Sequence, residues 1–175
     1  MTSLPRTPPI EPALEIAADL GARGLACALG GSGLLAALGL ESDVRDWDLT
    51  TDAPLAAVVG AAAGRSYEMC GSSGIHADSK LMFKAARLEL IVGFAVVGGR
   101  GPCRLPTVVT GSWRGLPLGS PEAWAVAYEL MGRAAKAQRL FEHLARHGAS
   151  AATIGRLLAE PLPAALADRL RALPA

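Results

Sequence analysis

Cysteine is scarce in this 175-residue chain. Cys27, Cys70 and Cys103 are far apart and odd in number, with no CxxC and no Cys/His pairing at zinc spacing. That excludes a disulfide scaffold and a structural zinc site, and it fits buried, reduced thiols in a cytoplasmic protein. Net charge is nearly absent too: 17 basic and 16 acidic residues leave +1. Without a global field nothing marks a nucleic-acid or polyanion binder, and no DNA partner is evident. Aromatic residues are only 5%, so the core must be assembled from small aliphatic side chains. Long apolar runs are missing. The longest uncharged stretch, residues 24–40, has 17 residues and five glycines. This is the lower edge of a membrane-spanning length, and the glycines favour a buried strand, turn and helix, so no membrane partner is expected. Residues 1–10 hold three prolines and no apolar segment of the kind a secretory signal needs.

What is present is a folding sequence. Hydrophobic residues make up 51% and charged residues 19%, which excludes disorder as the dominant state. A chain of this length buries roughly 70% of its unfolded surface and needs no covalent staple. It suits one domain with a short helical appendage.

The local patterns predict an arm over residues 1–12 and a helix over Glu11–Ala22. Residues 25–29 read as a buried strand, residues 30–33 as a turn and residues 34–38 as a short helix stopped by Gly39. Residues 46–50 alternate strictly, with Asp46, Asp48 and Thr50 on one face and Trp47 and Leu49 on the other. A helix follows over residues 53–63 with Asp52 as its N-cap. Strands are expected over residues 65–70, 80–85 and 87–97, with a short extended piece over residues 107–110. Ser120, Pro121 and Glu122 then open a helix with a stripe of Trp124, Tyr128, Met131 and Ala135. It runs to about His147, with a bend at Gly132. Two short helices over residues 152–159 and 163–173 close the chain. The fold class is α/β (α+β): a mixed sheet flanked by helices. It divides into an α/β domain over residues 1–118 and a C-terminal helical segment over residues 119–175 packed on it.

Three features carry chemistry. Gly30-Gly31-Ser32 lies between a buried strand and a helix, where glycines permit close backbone approach and the helix start offers free N–H groups to a phosphate. Asp46 and Asp48 share a strand face, roughly 7 Å apart at their Cα atoms, and two like charges so placed repel unless a cation bridges them. Hard divalent cations prefer such oxygen ligands. Glu89 stands in the apolar run Leu88-Glu89-Leu90-Ile91-Val92, where an unpaired carboxylate is costly. It needs Arg87, another basic group or a metal. Each feature alone also has a bland reading: a connecting turn, a solvated strand end, an ion pair.

Together they resemble the DNA polymerase β-type nucleotidyltransferase superfamily. Leu29-Gly30-Gly31-Ser32, Arg45-Asp46-Trp47-Asp48-Leu49 and Leu88-Glu89-Leu90 follow that family's order of a glycine turn, a DxD strand and a later single acid. Residues 46–54 are similar to the head of the CCA-adding and poly(A) polymerase group. Residues 118–124 and 128–136 are similar to the helical piece of small stand-alone members. The resemblance covers about residues 24–147 and implies a nucleotidyltransferase-like fold. It also implies that Asp46, Asp48 and Glu89 bind two Mg²⁺ ions (Mn²⁺ can substitute), with Glu89 on the metal that activates the acceptor or acting as base. Gly30, Gly31 and Ser32 then seat the β/γ-phosphates of a nucleoside triphosphate such as ATP. The acceptor, a small molecule, a protein or an RNA end, gains a nucleotide and pyrophosphate leaves. Gly33-Leu34-Leu35 stands where the CCA-adding group carries an Arg-Asp pair, which argues against CCA addition.

Further cations join the candidate nucleotide contacts. Arg133 and Lys136 lie three residues apart on one helix; Lys84, with Lys80, lies on one strand face, where edge charges also need no function. His76 reads as a loop residue, His143 and His147 as helix-end charges, and Trp113 with Arg114 either lines a pocket or caps the sheet. Two other functions stay open. One is a catalytically degenerate binding or regulatory module, toxin–antitoxin-like. The other is an unrelated α/β protein whose acids pair with Arg45 and Arg87. A homodimer is compatible with so apolar a small chain.

Overall fold

Alternation of apolar and polar residues along the central strands builds a sheet with two different faces. The structure, a computed structural model, describes residues 7–175. In chain order the elements are α1 (Glu11–Ala22), β1 (Ala28–Leu29), α2 (Gly31–Ala37), β2 (Trp47–Thr51), α3 (Leu55–Ala61), β3 (Glu68–Cys70), β4 (Ser79–Phe83) and β5 (Leu88–Val92). There follow β6 (Ala95–Gly98), β7 (Gly101–Arg104), β8 (Gly111–Trp113), β9 (Leu116–Leu118), α4 (Pro121–Leu130), α5 (Ala134–His147), α6 (Ala151–Leu158) and α7 (Ala164–Arg171). The main sheet runs β3-β4-β5-β2-β1-β9-β8, and β6 and β7 form a separate ribbon. β2 is parallel to β5 and β1 is parallel to β9; the remaining pairs are antiparallel.

One sheet face is apolar. Trp47 and Leu49 of β2, Leu88 and Leu90 of β5, and Leu81 and Phe83 of β4 pack with Ala13, Ile16 and Leu20 of α1 and Val58 of α3. The side chains between them in sequence, Asp48, Glu89 and Lys80, take the opposite face because successive strand residues point opposite ways. That second face is covered by the C-terminal helices. Ile91 and Phe94 share a core with Leu34 and Leu35 of α2, Trp124 and Tyr128 of α4, Leu140 of α5, Leu157 of α6 and Leu170 of α7. The arm is partly legible: Trp47 Nε1 donates to the Pro9 carbonyl at 2.8 Å, and Thr7 Oγ1 accepts from Val44 N–H at 3.2 Å. Its residues 1–6 lie outside the described residues.

Several expected boundaries are corrected. The long strand over residues 87–97 is broken at Gly93, whose φ of +64° turns the chain out of the sheet, so β6 pairs with β7 instead. The strand expected over residues 80–85 ends at Phe83; Lys84–Ala86 form a 3₁₀ turn and Arg87 takes φ +48°. Asp52 does not cap α3, whose N-cap is Pro54; its carboxylate accepts from Thr107 N–H at 3.0 Å. The β8–β9 hairpin has no counterpart in the sequence reading, since three-residue strands, one with a proline, are too short to show a period. Gly132, at φ +72°, ends one helix and lets α5 leave at a new angle, a break where only a bend was expected. Among the described residues no helix is long and apolar enough to cross a membrane.

Ser120 caps α4 as its sequence signature requires, accepting from Ala123 N–H at 3.1 Å. Glu122 is 4% exposed and holds two helix starts together. Its carboxylate accepts from the Ser120 hydroxyl at 2.5 Å and from Ser150 N–H, at the N-cap of α6, at 2.7 Å. Glu122→Ala leaves the buried Ser120 hydroxyl and the part-buried Ser150 N–H unmatched, and equilibrium urea unfolding is expected to show a loss of about 2 kcal/mol. A loss near zero removes Glu122 from that role.

Candidate active site

The second sheet face opens into a cavity of about 270 Å³. Its floor starts at the bend after β1. Gly30 N–H donates to the Asp48 carbonyl at 2.8 Å, tying the bend to β2. A Cβ on Gly30 would come within 2.0 Å of the Trp124 ring, and one on Gly31, at φ +55°, within 1.8 Å of Asp48 Oδ2. The two glycines therefore serve different neighbours: the first lets α4 dock, and the second lets the Asp48 carboxylate lie against the main chain. The first bond of α2 runs from Leu34 N–H to the Gly30 carbonyl at 2.9 Å, so the N–H groups of Gly31, Ser32 and Gly33 are not used by the helix.

Ser32 is 3% exposed, and its hydroxyl is engaged by the chain itself. It donates to the Asp46 carbonyl at 3.2 Å and accepts from Arg45 N–H at 3.1 Å. The side chain thus positions the segment that carries Asp46, while the main-chain N–H remains for a ligand. Asp46 is exposed and sits just before β2; Asp48 is half-buried within it. The parallel register sets Asp48 directly beside Glu89. Burial first, and then the neighbouring charges of Asp46 and Glu89, push the Asp48 carboxyl up to about 7 against the opposing pull of Lys80 and Arg133. The partner of Glu89 is Lys80, with Nζ 3.4 Å from Oε2. Lys80 reaches it diagonally from β4, whose Met82 stands opposite Glu89.

Across the cavity lie Arg133, the N-cap residue of α5, and Lys136 in its first turn. Lys136 Nζ is 3.4 Å from Glu41 Oε1 and 5.4 Å from the centre of the Tyr128 ring. The end wall is aromatic, with Phe94 against Trp124 at 4.9 Å and Trp124 against Tyr128 at 5.5 Å between ring centres. β4 ends at Phe83, so Lys84 leaves the strand for a 3₁₀ turn; it pairs with Glu68 at 2.7 Å and, outside the larger cavity, lines a smaller pocket with Asp46 and Glu89. Of the sequence candidates, Ser32, Asp46, Asp48, Glu89, Arg133 and Lys136 do line one space. Arg45, His76 and the aromatic wall also line it. Trp124 and Tyr128, four apart on α4, were readable only as a core stripe. Trp113 packs 6.5 Å from Trp47 and lies under Arg114, away from the cavity. His143 and His147 stack on each other at 4.3 Å on α5.

The donor set bears on a metal. Asp46 and Asp48 offer hard oxygens, and the Asp48 carboxyl, raised by burial first and by the charges of Asp46 and Glu89 second, is a group whose ionised form a cation would favour. Those two residues fit a hard divalent cation. Glu89 stands beside them but is held by Lys80, and among the described residues no three His, Cys, Asp or Glu side chains are grouped closely enough to hold a metal as they stand.

By sequence, no family model and no curated protein matches the chain. By structure, it is similar to a Thermotoga maritima protein provisionally named a nucleotidyltransferase, with TM-score 0.53 and 19% identity, over 79% of this chain and 93% of that one. The fold is that of a nucleotidyltransferase. The antibiotic-resistance factor ANT(2″)-Ia also aligns, at TM-score 0.47 and 13% identity, over 93% of this chain and 80% of that one. Within this nucleotidyltransferase fold, the glycine bend, the DxD strand and the single later acid meet on one sheet face, facing two cations on the helical segment.

Proposed function

We propose that this chain moves a nucleoside monophosphate from a nucleoside triphosphate to an acceptor hydroxyl, releasing pyrophosphate. The observation that carries the reading is the register of Asp48 with Glu89 beside Gly31, on a cavity that also holds Asp46, Arg133 and Lys136. Acids in such proximity are unfavourable for stability alone and suit a site that binds cations and phosphates. In this reading Asp46 and Asp48 hold Mg²⁺, or Mn²⁺ in its place, and Glu89 joins them by giving up Lys80. Mg²⁺ supplies neutralising charge for the triphosphate and the leaving pyrophosphate.

The chain's own groups do the rest. Arg133 and Lys136 bind phosphate oxygens, and the N–H groups of Gly31 to Gly33 add donors that need no reorganisation. Phe94, Trp124 and Tyr128 keep water from one end of the site. The acceptor is a small molecule, a protein or an RNA end. The departure at Gly33-Leu34-Leu35 turns the reading away from CCA addition. The Glu89–Lys80 pair is what a degenerate binding module would also show, and one experiment separates the two. Isothermal titration with ATP, GTP, CTP and UTP is expected to give Mg²⁺-dependent binding of at least one, lost in the Asp46→Ala/Asp48→Ala double variant. Equal binding with and without Mg²⁺, or by the double variant, selects the binding module; no binding by either protein removes the enzyme reading.

A further inference from the structure

His76 of the cavity lining faces Asp78, a polar pair that the function above leaves unused. Asp78 is 3% exposed, and neither of its carboxylate oxygens has a hydrogen-bond partner among the described residues. The Nδ1 of His76 is buried and equally unmatched. The two groups face each other, with Nδ1 3.5 Å from Oδ2. A buried carboxylate without a donor is unfavourable, and a well-packed fold removes such groups unless they serve a purpose. Burial opposes the charge of Asp78, while Lys80 and His76 favour it. With a hydrogen on Nδ1, the imidazole is the group placed to serve that carboxylate as donor.

The mounting of His76 is rigid. Its carbonyl accepts from Ser73 N–H at 2.6 Å, and its own N–H donates to Ser73 Oγ at 3.2 Å. Ala77 N–H donates to the Ala95 carbonyl at 3.2 Å, Val97 N–H donates to the Ile75 carbonyl at 2.7 Å, and His76 bridges to Val96. The loop is laid along β6 as one more short strand. With Nδ1 turned to Asp78, Nε2 is the nitrogen left to a ligand, and the imidazole lines the cavity with Asp48 and Glu89. Glu89, the other candidate base, is committed to the cation in the reading above, which leaves the imidazole as the group free to take a proton.

We propose that His76 is the general base of this site and that Asp78 is its positioning residue. The inference rests on the nucleotidyl-transfer reading and deepens it: the acceptor is an alcohol, such as a sugar or ribose hydroxyl, which needs a proton removed. Nε2 takes the hydroxyl proton as the acceptor oxygen bonds to the α-phosphorus. The bond from that phosphorus to the bridging oxygen breaks, and pyrophosphate leaves with the electron pair. Asp78 accepts from Nδ1–H throughout, fixing the tautomer and stabilising the imidazolium.

The test uses the whole chain with Mg²⁺ and whichever triphosphate binds, with water and glycerol as hydroxyl acceptors. Triphosphate affinity is read by titration and turnover by pyrophosphate release. His76→Ala and His76→Gln are expected to lower kcat about 100-fold with triphosphate affinity unchanged, and added imidazole is expected to restore part of the rate to His76→Ala. Asp78→Asn is expected to lower kcat about tenfold at unchanged triphosphate KM. Wild-type turnover in either His76 variant overturns the inference and leaves the enzyme reading standing. So does a His76 variant whose only defect is triphosphate affinity, since His76 is then a phosphate contact. A wild type that binds triphosphate but releases no pyrophosphate to either acceptor sinks the base assignment alone. A wild type that binds no triphosphate sinks both.

Discussion

Asp48→Asn is expected to abolish Mg²⁺-dependent triphosphate binding and, at the same time, to make the chain more stable above pH 7. Both effects follow from one feature, a carboxyl pushed up to about 7 from its ordinary 3.8 by burial first and by Asp46 and Glu89 second. The folded state holds the proton more tightly than the unfolded chain does. The stabilising contribution of protonated Asp48 is thus fully present below about pH 4 and is lost as pH rises through about 7. At pH 8 the wild type carries an ionised group that the fold disfavours, and asparagine removes it. A shift of this size corresponds to about 4 kcal/mol at most. The cavity side of Asp48 is open to solvent, so about 2 kcal/mol is the expected gain at pH 8, against little at pH 5. Urea unfolding of both proteins at the two pH values measures it. Equal stabilities at pH 8 would remove the strained-acid account of the site. Mg²⁺ is expected to act in the same direction on the wild type, raising its Tm more at pH 8 than at pH 5, because a bound cation favours the ionised carboxylate.

Gly31→Ala is expected to damage the fold and ligand binding together. The new Cβ falls 1.8 Å from Asp48 Oδ2, and the backbone there sits at φ +55°. Two costs add: the left-handed backbone costs about 1 kcal/mol for a residue with a Cβ, and the Asp48 carboxylate must move by more than an ångström. Displacement of that order costs roughly 100-fold when the displaced group serves binding or chemistry. Gly39→Ala supplies the control. It has φ +71° but nothing within 4 Å of a Cβ, so it carries the backbone cost without the clash. The expected outcome is a stability loss of about 1 kcal/mol for Gly39→Ala with triphosphate affinity intact. Gly31→Ala is expected to lose about 3 kcal/mol and roughly 100-fold in affinity. If the two alanine variants behave alike, the bend tolerates a side chain and the contact with Asp48 is unimportant.

Ser32 shows how a residue can belong to a site through a different atom from the one its type suggests. A serine after a double glycine reads as a phosphate ligand. Here the hydroxyl bonds the main chain at Arg45 and Asp46, so it sets where the first aspartate stands. Lys84 stays near the acids by a different route. Its spacing from Lys80 implied one continuous strand, but the strand ends at Phe83, and from the turn beyond it Lys84 pairs with Glu68 and lines a small pocket with Asp46 and Glu89.

The sequence alone determined which strand face carries Asp48 and Glu89, because acids alternating with Trp47, Leu49, Leu88 and Leu90 cannot share the apolar side of a sheet. It also determined the glycine bend and the capped start of α4, since both depend on residues within one turn of each other. Tertiary structure decided the rest. Only the parallel pairing of β2 with β5 puts Asp48 beside Glu89, a contact across 41 positions that no local pattern encodes. Only β4 brings Lys80 to Glu89, and only the loop on β6 sets His76, with the buried Asp78 beside it, in the wall of the same cavity. The break at Gly93 made that possible, because an unbroken strand would have carried β6 along the sheet and left His76 with no edge to lie against.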